Sequence, residues 1–164
     1  MTYRIDNEEE IKHLKAELAK EYIAYIDAVK NKIAVAEERL EMLEAATGLG
    51  AIDYSKDLIS TSVSPDAIPN AVIRMIEAND KQQEDIGYKK VEVDAFDKRI
   101  AALESKGGLI LQFIYGLGIK DKDIYHMYMP MPRSTYFRTK TEGLVELYDK
   151  GLPEKFLLPD IKAV

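Results

Sequence analysis

Between positions 133 and 140 the chain carries Arg133, Ser134, Thr135, Arg138, Thr139 and Lys140. These are three cations and three hydroxyls with no acid between them, in a chain whose net charge is −6. Arginine reads guanine bidentately, lysine and hydroxyl groups hold phosphate oxygens, and a threonine methyl meets the thymine methyl. Together these residue types suit contact with double-stranded DNA. Lys120 and Lys122, just upstream, join the candidate set. Other chemistries find little support. There are no cysteines, and the two histidines, His13 and His126, lie far apart. That excludes thiolate zinc sites and cysteine nucleophiles and argues against a histidine-rich metal site. Gly48-Leu49-Gly50 and Gly116-Leu117-Gly118 lack the strand, lysine and spacing of a phosphate-binding loop. No nucleophile–base set and no close carboxylate pair can be assembled, so the expectation is a non-enzyme with no cofactor and no metal.

The elements that would position the cationic run are short. Leu109–Tyr115 predicts a strongly apolar helix closed by Gly116-Leu117-Gly118, with Gly107-Gly108 ending whatever precedes it. Residues 120–128 predict a second short helix with Ile124, Met127 and Tyr128 on one face. Met129-Pro130-Met131-Pro132 is the turn, because a residue before proline avoids the α region. Ser134 then reads as the N-cap of a third helix running to about Lys150, with Tyr136 or Phe137, Leu144, Leu147 and Tyr148 inward. Gly151 and Pro153 end it. Three short helices with a tight turn between the last two form a helix-turn-helix, whose final helix enters the major groove. Helical units with one cationic face also occur in proteins that never meet DNA, so a helical packing module stays open.

The first two thirds of the chain read differently. Residues 7–46 predict one uninterrupted helix, with Asn7 as N-cap and Glu8, Glu9 and Glu10 favoured by the dipole in its first turn. Ile11, Leu14, Leu18, Tyr22, Ile26, Val29, Ile33, Ala36, Leu40 and Leu43 recur at steps of three and four, the seam of a coiled coil. Gly48 and Gly50 stop it, and residues 47–65 form a Gly-, Ser- and Thr-rich linker. A second long helix is expected from Asp66 to about Ser105, with Val72, Ile73, Ile76, Ile86, Val93, Phe96, Ile100 and Leu103 as its stripe. Residues 1–104 carry 14 Lys+Arg against 22 Asp+Glu, while residues 105–150 carry 7 against 5. The positive balance therefore falls on the helix-turn-helix end.

The expected fold class is all-α: a long antiparallel, coiled-coil-like helical hairpin followed by a compact helix-turn-helix unit of three helices. Its domains would be the arm over 1–105, the helix-turn-helix over 106–151 and a tail over 152–164, whose Phe156, Leu157, Leu158, Ile161 and Val164 would dock on the bundle or on a partner. No run of about 18 apolar residues is present, so no membrane partner is expected. Met1–Asp6 turns acidic at once, unlike a secretory leader, and the cysteine-free composition fits the cytoplasm.

Two stretches resemble a known group. One is Asp53-Tyr54-Ser55-Lys56-Asp57-Leu58-Ile59-Ser60-Thr61-Ser62 followed by a helix with Ile76. The other is the Leu109–Tyr115 helix, the glycine turn, Asp123-Ile124, Ser134-Thr135-Tyr136-Phe137-Arg138 and Gly143-Leu144. Together they are similar to the RinA/ArpU-like late-transcription regulators of phages and prophages of Gram-positive bacteria. The C-terminal unit of that group resembles the promoter-reading domain of sigma factors. Where such domains place alanine before the leucine of the last helix, this chain has Gly143, at about 1 kcal/mol in an ordinary helix interior. The resemblance implies a DNA-binding transcription regulator acting in the bacterial host cytoplasm. Its arm would serve homodimerisation or contact with RNA polymerase. Two other functions fit the same architecture: a phage adaptor that binds a host protein without DNA, and a component like the small terminase subunit.

Overall fold

In the computed structural model, residues 8–47 and 67–159 are described. All regular structure among them is helical. Helix α1 spans Glu8–Thr47 and α2 spans Ala67–Ala101. Helix α3, Lys106–Leu111, continues into a π-helical turn over Gln112–Gly116. Helix α4, Asp121–Asp123, continues into a second such turn over Ile124–Tyr128. Helix α5 spans Arg133–Lys150, and a 3-10 turn follows at Glu154–Phe156. The expected architecture, an α1–α2 hairpin followed by a compact three-helix unit, is the one observed. The Asn7 cap, the glycine stop, Asp66 and the linker motif of residues 53–62 lie outside the described residues.

The chain divides into two compact units, one of Met1–Asp27 with Val93–Val164, the other of Ala28–Glu92. The expected boundary at 105 is therefore not where compactness changes. In the first unit, Ala16, Ala19, Tyr22, Ile23 and Ile26 of α1 share one core with Phe96, Ile100 and Leu103, with Leu111, Leu144 and Leu147, and with Leu152 and Phe156. Tyr22 is the bulkiest side chain that α1 buries there. Its ring lies 5.5 Å from Phe96 and 5.3 Å from Phe156, and its hydroxyl accepts from Arg99 at 2.9 Å. The tail closes this core: Phe156 is buried, Leu158 N–H donates to the Tyr148 hydroxyl, and Lys155 lies 3.5 Å from the Tyr25 ring centroid. Ile161 and Val164 lie outside the described residues.

In the second unit Val29 and Leu40 of α1 and Ile86 of α2 are buried, and Lys90 pairs with Glu37 at 2.8 Å. The α2 stripe departs from expectation here: Ile73 and Ile76 are half-exposed.

Two helix ends also need correction. Helix α2 stops at Ala101, before the glycines expected to end it, and Ser105 caps α3 by accepting from Gly108 N at 2.9 Å. Gly107 and Gly108 lie inside α3 and are buried. A Cβ on Gly107 would fall 2.7 Å from Gly143 Cα and overlap the Thr139 carbonyl oxygen. A Cβ on Gly143 would fall 2.8 Å from Gly107 Cα. The two glycines are thus the crossing point of α3 and α5, which explains Gly143 within a helix. Helix α5, in turn, begins at Arg133 and not after Ser134. Extended Pro132 precedes it, its carbonyl accepting from Tyr136 N at 2.9 Å. Ser134 lies in the first turn.

Candidate nucleic-acid interface

The crossing at Gly107–Gly143 fixes which face of α5 looks inward. Tyr136, Gly143, Leu144 and Leu147 are buried on that face. Ser134, Arg138 and Thr141 follow one another at i, i+4 and i+7 on the opposite, exposed face. Arg133, Thr135 and Phe137 flank them and are exposed as well. Of the residues singled out from sequence, Arg133, Ser134, Thr135 and Arg138 therefore share the open surface of the first two turns. Thr139 and Lys140 are turned towards the protein. Thr139 Oγ1 donates to Thr135 O at 2.8 Å, and its carbonyl oxygen faces Gly107. Lys140 Nζ is bound to Asp121 at 3.0 Å.

Thr141 and Phe137 complete the exposed strip and were missed or misplaced by sequence reasoning. Thr141 was legible in principle, because it lies seven residues from Ser134. Phe137 was not, since Tyr136 and Phe137 compete for one inward position. Tyr136 takes it because its hydroxyl finds a partner there, donating to Asp121 at 2.6 Å. Phe137 stays 40% exposed, with Arg133 and Lys140 at 5.6 and 6.0 Å from its ring centroid.

Asp121 is the joint between α4 and α5. Burial pushes its carboxyl up, but the Tyr136 hydroxyl and the Lys140 ammonium more than offset this, and it lies below the ordinary aspartate value. Burial first, and the bond to Asp121 second, push the Tyr136 phenol well up, so it stays neutral. Lys120 and Lys122 stand on either side of Asp121 in sequence, and both are exposed. The joint thus ties the start of α4, with its two exposed lysines, to the first turns of α5.

The other end of the unit is held by side chains that cap backbone. Glu146 of α5 accepts from Glu104 N at 2.6 Å and from Ser105 N at 3.0 Å. Burial pushes its carboxyl up, and the bonds from Ser105 and Glu104 with the nearby Lys150 bring it below the ordinary value. Gln112 Nε2 donates to the carbonyls of Ile100 and Leu103, at 3.1 and 2.9 Å, where α2 ends. Lys150 donates to the Ala102 carbonyl. The cationic strip accordingly stands on a rigid support, as a surface that reads another molecule requires.

Among the described residues no group of three or more histidines, aspartates or glutamates is placed to hold a metal ion, and no helix is long and apolar enough to cross a membrane. Comparison with family models, curated proteins and solved structures gives no match.

Proposed function

We propose that the protein is a sequence-specific DNA-binding transcription regulator of the phage type, with α5 as its recognition helix. The observation that carries the reading is the exposed face of α5. Over residues 133–141 it presents Arg133, Ser134, Arg138 and Thr141 and no acid, on a helix whose other face is locked to α3. Arg138, at the centre of the strip, is suited to the guanine edge, while Ser134, Thr141 and the exposed lysines Lys120 and Lys122 suit phosphate. The arm serves homodimerisation or RNA polymerase contact, and a dimer would present two recognition helices to half-sites about one turn apart. The site of action is the bacterial cytoplasm.

The test is a titration of labelled duplexes, from the DNA flanking the protein's own coding region and from random sequence, at two salt concentrations. One native segment should bind more tightly than random DNA, with affinity falling as salt rises. Arg138→Ala should cost about 1–3 kcal/mol on that segment and less on random DNA. Equal affinity for all duplexes, or an unaffected Arg138→Ala protein, would sink the proposal. One observation favours the adaptor as a second reading. Leu117, Met127 and Tyr128 are 69%, 66% and 54% exposed in the C-terminal unit, and exposed apolar groups suit a protein partner. Capture of a host protein that persists after nuclease treatment, together with no DNA binding at low salt, would shift the assignment to it.

A further inference from the structure

We infer that the groove between α1 and α2 in the unit Ala28–Glu92 is a docking site for an acidic amphipathic helix of a partner protein. The groove encloses about 400 Å³ and is lined by Lys32, Val35 and Arg39 from α1 and by Asp85, Ile86 and Lys89 from α2, among others. Its charge is opposite to that of its surroundings. Residues 28–92 carry 8 Lys+Arg against 12 Asp+Glu, a net of −4, whereas the groove wall has three cations and one acid. Lys32, Arg39 and Lys89 form no ion pair with a described residue, while the neighbouring Lys90 is paired with Glu37.

The apolar pattern points the same way. Lys32, Val35, Arg39 and Met42 follow one another at steps of three, four and three along one flank of α1. Val35 is 48% exposed and Met42, one turn beyond the groove, 63% exposed, although Val29 and Leu40 on the adjoining face are buried. Two helices leave this second stripe uncovered, and a third laid along it would cover it. The stripe alternates cation and apolar group, so the complementary helix alternates carboxylate and apolar group at the same spacing. Its apolar residues meet Val35 and Met42, over the buried Ile86 at the floor of the groove, and its carboxylates meet Lys32, Arg39 and Lys89. Arg39 supplies a two-pronged donor for one of them. The apolar floor and Asp85 make the groove a poor fit for a phosphate backbone. The inference concerns the arm and stands whether or not α5 reads DNA.

The test uses the full chain and a labelled synthetic helix of about 14 residues, with leucines along one face flanked by glutamates. Its twin has lysine in place of every glutamate. Fluorescence anisotropy should show saturable binding of the glutamate peptide that weakens with salt, and binding of the lysine twin at least roughly tenfold weaker. The double variant Lys32→Glu/Arg39→Glu should lose roughly tenfold in affinity, and Lys89→Glu, on the opposite wall, should also weaken binding. Lys81→Glu, on an exposed position of α2 outside the groove, should leave binding unchanged, and circular dichroism should show every variant as helical as the parent. The inference is overturned if the glutamate peptide does not bind, if the lysine twin binds equally, or if Lys81→Glu weakens binding as much as the groove variants. It is also overturned if the chain self-associates in light scattering and the double variant abolishes this, because the occupant is then a second copy.

Discussion

Asp121 does two things with one carboxylate: it accepts from Tyr136 and it pairs with Lys140. Both bonds lower its pKa in the folded state, and the bonds to Glu146 do the same at the other end of the unit. The stabilisation these two groups give is complete above their ordinary values of 3.8 and 4.5 and is lost as the pH falls through their lower folded-state values. Asp121→Asn should therefore destabilise the protein at pH 7 and flatten the acid limb of its stability curve. The cost should be about 1 kcal/mol, at the low end for charge-assisted bonds because the carboxylate is partly solvated. Urea unfolding of both proteins at pH 7 and near pH 3 measures it, and equal acid sensitivity would remove Asp121 from this role. The same joint shows what sequence conceals. Lys140 reads as one of three cations in an acid-free run, but the acid that neutralises it is Asp121, nineteen residues upstream. A charge run is visible in a sequence, whereas the partner brought to it by a turn is not.

At the scale of elements, the hydrophobic spacing located nearly every helix. The long α1, the glycine-closed apolar helix, the proline turn and α5 all lie close to where periodicity and breakers put them. Two of the errors concern glycine. Gly107-Gly108 has the composition of a helix stop, and Gly143 that of a weak helical position, because propensity treats each residue alone. The structure gives them one joint purpose, the close approach of α3 and α5. Gly143→Ala separates the two effects. Alanine would add about 1 kcal/mol of helix propensity. Its Cβ would lie 2.8 Å from Gly107 Cα, and backbone cannot swing aside as a long side chain can. We expect the overlap to win, with a net loss of about 2 kcal/mol in urea unfolding. A stabilised Gly143→Ala protein would show that the helices can part without loss.

For the molecule as a whole, the apolar residues after Gly151 leave two choices open in the sequence, the bundle or a partner, and no period decides between them. The segment looked like a tail, since it follows a glycine and a proline. In the structure Leu152 and Phe156 join the same cluster as Ala16, Tyr22 and Phe96. Phe156→Ala should cost about 3 kcal/mol, in the range for removing a buried aromatic ring. Circular dichroism should follow the loss as a lower melting temperature, and an unchanged melting temperature would mean that the tail merely rests on the surface. The apolar spacing of α1 predicted its inward face near Tyr22 and Ile26. It did not predict that Ala16 and Ala19 would be more deeply buried than Leu14 and Leu18, because which part of an apolar face is covered depends on the neighbour packed against it.

The position of Phe156 also sets an order of events. The core that begins with Ala16 on α1 needs a side chain 140 positions further along the chain. As the protein emerges from a ribosome, residues 28–92 are all present long before the unit that encloses them in sequence has its last buried ring. The face of α1 at Tyr22, Ile23 and Ile26 is thus made before any of the buried residues outside α1 that complete its core, the first of which is Phe96.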